Sequence, residues 1–446
     1  MNIKALITIL MTLQLFVAGH TQTLDKAKLD QFFDRLAEKN KAMGSLTIAK
    51  DDTVVYTRAI GYSQFSEAGK KPMSTANRFR IGSITKMFTT AMILQLVDEG
   101  KLKLTDTLDK FFPQLPNARK ITIEQVLWHR SGIPNVKREQ NAQGNVNTIP
   151  VTKDEILAFI VKATPDFEPD TKRSYSNSGY QLLGLILEKV TGKPYEEALV
   201  ERITSRIGLK DTYLATGNID VSKNEALTYK NFGNRWEPVS ETHPSILFSA
   251  GAIVSTPNDL TTFIQALFDG KIVSKEGLDQ MKTIRDGEGA GMELFMFAGK
   301  TFYGHTGGAD NYGAWLAYEP EERLAFAYTT NAKIYPVHDI VSGAVDIYYH
   351  KPFQVPTFES ITISPEVLDR YVGVYSSPQA PVKFTITRKD TTLFIQANGE
   401  SSDAPLEATA QNQFKIEGAI IVEFDTGKSQ MVIKRGGGER VFTREK

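Results

Sequence analysis

The sequence predicts an α/β protein: an antiparallel sheet flanked by helices, with a helical insertion, followed by a small antiparallel β domain. Two observations predict this class. Up to about residue 350, patterns typical of strands stand near both ends and patterns typical of helices fill the middle. After a proline-containing connector, the remaining residues alternate between apolar and polar side chains, which is typical of strands.

The N-terminal unit is expected to begin with a helix and two paired strands. Residues 24–40 place apolar side chains at helical spacing, and two short strand-like runs follow at 44–49 and 53–62. Residues 88–96 are apolar around the whole helical circumference, so this helix should be buried on all sides. Further helices are expected at 153–163, 180–190, 195–206, 258–268 and 334–349, and a hairpin at 312–318 and 324–330.

The patterning divides the chain into four parts. We expect a leader at 1–22, the α/β unit at 23–352, a linker at 353–365 and a β domain at 366–446. The linker contains prolines, which favour an extended and stiff connection. Within the last part, strand-like alternation occurs at 383–387, 392–397, 420–424 and 431–434.

The composition excludes several classes of protein. Lysine and arginine number 52, and aspartate and glutamate also number 52, so the chain lacks the positive charge that a general nucleic-acid binder needs. The absence of cysteine excludes disulfides, thiolate catalysis and zinc–cysteine sites. The six histidines form no H-E-x-x-H pair. We therefore expect neither a metal nor an organic cofactor.

The N-terminus has the pattern of a secretory leader. Lys4 supplies a short positive region, an uncharged apolar run spans 5–18, and the cleavage point is expected within 19–22. The run is too short to span a bilayer comfortably, although an uncleaved membrane anchor is the alternative interpretation. The mature protein is expected to be exported, periplasmic or secreted, with no stable membrane span.

The first candidate for chemistry is Ser83-Ile84-Thr85-Lys86, the only S-x-x-K in the chain. Residues three apart on a helix share a face, so the Lys86 amine can reach the Ser83 hydroxyl. A serine hydroxyl is a weak nucleophile and needs a partner that takes its proton. A lysine can take it when burial lowers the lysine pKa. The alternative is a helix-capping serine followed by a solvated lysine.

The second candidate is Tyr175-Ser176-Asn177, just before the helix expected at 180–190. Beside a lysine, a tyrosine can act first as a base and then as an acid. The Asn177 amide can donate to a substrate carbonyl and accept from Lys86. Taken alone, these residues are also ordinary turn and capping residues.

The third candidate is the run 303–308, which has the sequence YGHTGG. Glycines beside a strand let a substrate backbone approach closely. The N–H of Gly308 is expected to pair with that of Ser83 as an oxyanion hole. His305 can bind an anionic group or tune the tyrosine, although a lone histidine is more often structural.

The segments S-x-x-K, Y-x-N and H-T-G, in this order, resemble the serine β-lactamase and penicillin-binding-protein superfamily. With tyrosine in the second segment, the pattern looks like that of one branch of the superfamily. This branch contains class C β-lactamases, D-alanyl-D-alanine carboxypeptidases and family-VIII esterases. The stretches 79–82, 127–133 and 249–256 also look like segments of that family. The resemblance covers about residues 25–350 and implies a β-lactamase/transpeptidase-like fold. The tail resembles the small lipocalin-like barrel that some members append.

The resemblance implies a role for each residue. Ser83 is the expected nucleophile, and Lys86 with Tyr175 is the expected proton-transfer pair. Asn177 is expected to contact substrate and lysine, and the amides of Ser83 and Gly308 are expected to form the oxyanion hole.

His305, Thr306 and Gly307 complete the substrate-binding strand that the resemblance implies. His305 stands where many β-lactamases have lysine. A histidine at this position is similar to that of peptidases and esterases of this branch. His129 and Trp128, within the stretch 127–133, are expected to be structural residues.

We therefore expect a serine hydrolase that acts through a Ser83 acyl-enzyme on D-amino-acid peptides, esters or β-lactams. A small-molecule or peptide acyl substrate is the expected partner, and nucleic acid is not. A peptidoglycan- or peptide-binding protein without turnover is the alternative on the same fold.

Overall fold

The structure is a computed structural model. It describes residues 24–66, 69–136, 148–231, 236–358, 361–378, 380–398, 403–416, 420–435 and 438–445. The predicted leader at 1–22 lies outside the described residues, and so do positions 359 and 360 of the predicted linker.

The helices lie mainly between the strands at the two ends of the first unit. Their bounds are α1 Lys26–Glu38, α2 Thr85–Asp98, α3 Ile123–Leu127, α4 Lys153–Lys162, α5 Asn177–Thr191, α6 Tyr195–Leu199, α7 Ser205–Ile207, α8 Pro244–Leu247, α9 Pro257–Phe268, α10 Lys275–Lys282, α11 Val337–Tyr348 and α12 Pro365–Leu368. A π-helical turn at Val200–Thr204 joins α6 to α7 inside the helix predicted at 195–206.

The strands fall into a central sheet, a C-terminal barrel and short local pairs. Their bounds are β1 Met43–Lys50, β2 Thr53–Ile60, β3 Tyr62–Ser66, β4 Gly69–Pro72, β5 Phe79–Arg80, β6 Tyr213–Leu214, β7 Tyr229–Asn231, β8 Trp236–Pro238, β9 Ile253–Ser255, β10 Glu293–Phe297, β11 Lys300–Ala309, β12 Tyr312–Glu319, β13 Leu324–Ala332, β14 Gly373–Ser377, β15 Ala380–Lys389, β16 Thr392–Ala397, β17 Ala404–Ala410, β18 Gln413–Ile416, β19 Ile420–Asp425, β20 Gln430–Arg435 and β21 Gly438–Arg444.

The central sheet is antiparallel and has the order β10-β11-β12-β13-β1-β2. β1 lies between β2 and β13, so the start of the chain is paired with a segment about 280 residues further on. The predicted antiparallel sheet and the predicted hairpin, which is β12 and β13, are confirmed.

The two faces of the sheet pack against different helices. Side chains alternate between faces along a strand. On β12, Leu316 joins the core formed with α2 and α9, whereas Ala317 joins the core formed with α1 and α11. All residues of α2 from Thr85 to Leu96 are buried. This confirms the buried helix, although it begins three residues before the predicted start.

The C-terminal strands β14 to β21 form a closed antiparallel barrel. Pairing of Tyr375 with Arg444 joins β14 to β21 and closes it. Its interior is apolar and includes Ile386, Phe414 and Val422. The predicted small antiparallel β domain is confirmed, while its boundaries and those of the linker stay predictions.

Among the described residues, no helix combines the length and the apolar character needed to cross a membrane.

Candidate active site

Ser83 lies in a tight 3-10 turn, Gly82–Ile84, directly before α2. Gly82 has a φ of +53°, a left-handed conformation that favours glycine. A Cβ atom at Gly82 would lie 2.4 Å from the Gly308 nitrogen. Glycine at this position therefore lets strand β11 approach the turn that holds Ser83.

Lys86 lies in the first turn of α2 and is fully buried. Its Nζ atom lies 3.1 Å from Ser83 Oγ, 2.7 Å from Asn177 Oδ1 and 2.8 Å from the Ala250 carbonyl oxygen. Burial lowers the pKa of Lys86 well below the 10.5 of an ordinary lysine and outweighs the opposing effect of the Glu293 carboxylate. This shift favours the neutral amine.

A neutral Lys86 amine has two N–H bonds and one lone pair. Asn177 Oδ1 and the Ala250 carbonyl can only accept hydrogen bonds, so they take both N–H bonds. The lone pair then faces the third neighbour, the Ser83 hydroxyl. The surroundings of Lys86 therefore orient it to accept the Ser83 proton.

The Tyr175 hydroxyl donates to Ser83 Oγ at 2.7 Å. Burial raises the pKa of Tyr175, so the phenol keeps its proton near neutral pH. An ionised Tyr175 acting as the first base is thus disfavoured. The arrangement favours Lys86 as base and Tyr175 as hydrogen-bond donor and acid.

Asn177 is the first residue of α5, and its position follows from local capping. The Ser176 side chain accepts from the Gly179 N–H at 3.1 Å and caps the helix. The helix therefore begins three residues before the predicted start at 180. This start places Asn177 beside Lys86.

Strand β11 contains the predicted run 303–308 and has an open edge beside Ser83. β10 pairs with β11 no further than Gly304. Beyond that point, the Thr306 N–H points out of this edge and donates to Glu293 Oε2 at 2.9 Å. Neighbouring N–H groups of a strand point in opposite directions, so the Gly308 N–H, two residues on, points to the same edge as that of Thr306. The geometry fits the oxyanion hole expected from Ser83 and Gly308.

Thr306 and Gly307 fix β11 in place. The Thr306 hydroxyl lies 3.1 Å from Glu293 Oε1. A Cβ atom at Gly307 would lie 1.9 Å from the Ile81 carbonyl oxygen, so the strand packs tightly on the turn before Ser83.

The structure places His305 in the protein interior, with 1% of its surface exposed. Its Nδ1 atom lies 2.5 Å from the Thr306 carbonyl oxygen, and its Nε2 atom faces Glu288 at 3.9 Å. Burial lowers the pKa of His305, which favours the neutral ring. Direct contact between His305 and an anionic substrate group, one of its two expected roles, does not fit this position.

Four residues in or behind the site were missed by the sequence reasoning: Arg173, Ala250, Glu288 and Glu293. Ala250 contributes only a backbone carbonyl, although it lies in the stretch 249–256 noted above. The two glutamates belong to no motif, and no spacing in the sequence indicates them. His129 and Trp128 are buried, as expected of structural residues.

One group of described residues has the composition of a metal site. Glu288, Glu293 and His305 offer ligand atoms that lie within 4.8 Å of one another. However, the Arg173 guanidinium forms an ion pair with Glu288. Its positive charge opposes a cation at this position.

Comparison with known proteins agrees with the serine site described above. Residues 29–344 match the family model described as beta-lactamase. The chain belongs to the beta-lactamase family. A penicillin-binding protein of Bacillus subtilis strain 168 is 25% identical over 452 residues, which cover 94% of this chain and 98% of that protein.

Two further relatives of this beta-lactamase-family chain have names that specify a reaction. A D-alanyl-D-alanine carboxypeptidase/endopeptidase of Escherichia coli strain K12 is 26% identical, with 57% of this chain and 66% of that protein covered. The crystal structure of a D-amino acid amidase from Ochrobactrum anthropi SV3 is similar with a TM-score of 0.64 and 26% identity, covering 73% of this chain and 99% of that one. The chain is therefore a serine hydrolase of the beta-lactamase family.

The pKa of Lys86 leads to a prediction for the pH dependence of the enzyme. Below that pKa the amine is protonated and cannot accept the Ser83 proton, and above it the amine is neutral. We expect kcat/KM for a neutral ester substrate to rise about tenfold per pH unit below the pKa of Lys86 and then to level off. Because burial lowers this pKa, the plateau should begin well below pH 10.5. A rate that climbs with unit slope up to pH 10.5 would contradict the neutral lysine.

Proposed function

We propose that this serine hydrolase is exported and cleaves peptides and amides of D-amino acids through an acyl-enzyme on Ser83. Esters and β-lactams are further acyl donors in the proposal. The observation that supports it most is the position of Ser83 Oγ, 3.1 Å from Lys86 Nζ and 2.7 Å from the Tyr175 hydroxyl.

The proposed reaction begins when the substrate carbonyl oxygen accepts from the N–H groups of Ser83 and Gly308. Ser83 Oγ attacks the carbonyl carbon while its proton moves to neutral Lys86. The tetrahedral intermediate then collapses, and the leaving amine takes a proton from Tyr175, which is reprotonated by Lys86. The products of this half-reaction are the free amine and a Ser83 ester.

Hydrolysis of the ester uses the same groups in the same order. Water attacks the ester carbonyl and gives a proton to Lys86, and the negative charge again falls between the amides of Ser83 and Gly308. On collapse, Ser83 Oγ leaves and regains a proton through Tyr175. The acid product departs, and the enzyme returns to its initial protonation state.

The substrate class is supported by the relatives. The names of two of them, an Escherichia coli carboxypeptidase and an Ochrobactrum anthropi amidase, specify D-alanyl or D-amino acid groups. β10 does not cover the edge of β11 at Gly308, and this position is compatible with an extended peptide beside Ser83, because an uncovered strand edge can pair with another strand.

A covalent probe tests the acyl-enzyme. A fluorescent penicillin or a fluorophosphonate should label the purified protein, and peptide mass spectrometry should place the label on Ser83. The Ser83→Ala variant, folded as judged by circular dichroism, should take no label. Absence of labelling together with absence of turnover of any acyl substrate would instead favour the non-catalytic binding protein.

A substrate panel tests the specificity. Hydrolysis of D-alanyl-D-alanine peptides and D-amino acid amides should exceed that of the matched L,L-peptides and L-amides, with p-nitrophenyl esters and nitrocefin as further acyl donors. Equal rates on matched D- and L-substrates would refute the D-amino acid assignment and leave the acyl-enzyme intact.

Export is supported by the leader pattern at 1–22. The mass of the protein recovered outside the cytoplasm should correspond to a chain that begins within 19–23. Recovery of the full-length chain from the cytoplasm alone would contradict export.

A further inference from the structure

A largely buried polar cluster lies behind Tyr175 and takes no part in the reaction proposed above. We call it the Glu288 cluster, and it consists of Arg173, which is exposed to solvent, and of the buried residues His129, Glu288 and His305. The exposed fractions of the last three are 1%, 3% and 1%. Burying a titratable group lowers the stability of the fold unless the group is paired, so the partners of these side chains determine whether their burial is tolerated.

His129 holds the backbone on both sides of Tyr175. Its carbonyl oxygen accepts from the Ser174 N–H at 2.9 Å, and its Nδ1 atom accepts from the Ser176 N–H at 3.1 Å. The His129 ring also lies 4.4 Å from the Tyr175 ring, measured between centroids. The position of the Tyr175 hydroxyl therefore depends on the His129 ring.

The hydrogen bonds of His129 fix its tautomer. Nδ1 accepts an N–H and so carries no proton, and burial lowers the pKa of His129, which favours the neutral ring. The single ring proton must then lie on Nε2. That atom faces Glu288 Oε1 at 3.8 Å, which is longer than a hydrogen bond but close for a buried carboxylate. The Glu288 charge therefore favours the tautomer that leaves Nδ1 free to accept from Ser176.

His305 has the opposite tautomer. Its Nδ1 atom lies 2.5 Å from the Thr306 carbonyl oxygen, which can only accept, so Nδ1 carries the proton. Its Nε2 atom is unprotonated and lies 3.9 Å from the same Glu288 oxygen. Glu288 thus faces one protonated and one unprotonated imidazole nitrogen.

Glu288 also holds the Tyr175 segment directly. Its other carboxylate oxygen forms an ion pair with Arg173, two residues before Tyr175. One carboxylate thus acts on this segment through Arg173 on one side and through His129 on the other.

We propose that Glu288 is a positioning residue for Tyr175, which it keeps at Ser83 by binding Arg173 and by setting the His129 tautomer. This inference rests on the proposed function, because it concerns the rate at which Ser83 is acylated. The Glu288 carboxylate lies beside Arg173, His129 and His305, so its effect on Tyr175 is exerted through His129 and Arg173.

The Glu288→Gln variant keeps the size of the side chain and removes its charge. We expect kcat for an ester substrate to fall on the order of 10- to 100-fold, because small misplacements of a reacting group have effects of this size. KM should stay nearly unchanged, since the lost interaction acts in the transition state. Glu288→Asp, which restores the charge, should recover part of the rate.

Asp259→Asn is the matched control. Asp259 is also a buried carboxylate, with 6% exposure, and it binds the Asp211 N–H at 2.8 Å and the Thr212 hydroxyl at 2.9 Å, away from Ser83. This variant should lower stability and leave kcat unchanged. Equal kcat losses in the Asp259 and Glu288 variants, or an unchanged kcat in Glu288→Gln, would overturn the positioning role.

Nitrogen-15 NMR of the imidazole rings in the wild-type protein tests the inference without any variant. We expect His129 to carry its proton on Nε2 and His305 to carry it on Nδ1. A proton on Nδ1 of His129 would overturn the proposal even if Glu288→Gln fails to fold. Lack of any acylation of the wild type, with both tautomers as expected, would instead refute the proposed function.

Discussion

Replacing Lys86 by methionine should slow the acylation of Ser83 by about 10²- to 10⁴-fold, the range that a lost general base causes. Methionine keeps much of the side-chain volume in the buried site but offers no lone pair that can take a proton. The Ser83 hydroxyl would retain only Tyr175, whose raised pKa makes it a donor to Ser83 rather than a base.

The rate of fluorophosphonate labelling, followed by intact-protein mass spectrometry, measures this effect. Lys275→Met is a suitable control, because Lys275 is exposed on α10 and its side chain contacts Asp279 rather than the site. The control should label at the wild-type rate. Labelling of Lys86→Met at near that rate would show that another group removes the Ser83 proton.

Replacing Gly82 by alanine should lower both stability and activity. The left-handed backbone alone costs roughly 1–2 kcal/mol for a residue with a Cβ atom. In addition, the new Cβ atom would lie 2.4 Å from the Gly308 nitrogen, and backbone atoms of a paired strand cannot easily move aside. We expect β11 to shift away from Ser83 and acylation to fall about 10²- to 10³-fold, as when one oxyanion donor is lost.

Gly192→Ala separates the backbone strain from the contact. Gly192 has a φ of +68°, and a Cβ atom there would meet nothing within 4 Å. The Gly192→Ala variant should lose roughly 1–2 kcal/mol of stability and keep the wild-type labelling rate. Similar labelling rates in Gly82→Ala and Gly192→Ala would show that the approach of β11 to Gly82 does not matter for acylation.

The positions of Ser83 and Lys86 could be predicted because the contact between them is local. Spacing by three residues on helical backbone sets their separation whatever the rest of the chain does. The closed barrel could likewise be predicted as a β domain, because alternation of apolar and polar residues is a local signal.

The starts of two helices were predicted three residues late, and the cause is the same in both. α2 begins at Thr85 and α5 at Asn177, whereas apolar periodicity begins only at Phe88 and Tyr180. The first turns carry Lys86 and Asn177, polar residues at the proposed site. Such residues interrupt the apolar pattern from which a helix is recognised.

Contacts between distant segments could not be predicted. Glu288 meets Arg173 and His129, more than 100 residues earlier, and no periodicity relates these positions. Similarly, the glycines of β11 weaken its strand pattern. They are explained only by the close packing of that strand on the turn at Gly82.

The order of strands in the central sheet also governs when the protein can fold. Leu46 of β1 is paired with Tyr328 of β13, so the sheet cannot close until most of the polypeptide has left the ribosome. Bringing such distant segments together is slow, because the entropy of a long loop must be lost before any contact is gained. The nascent chain therefore lacks its complete central sheet until β13 has been synthesised, a delay that is compatible with the proposed export.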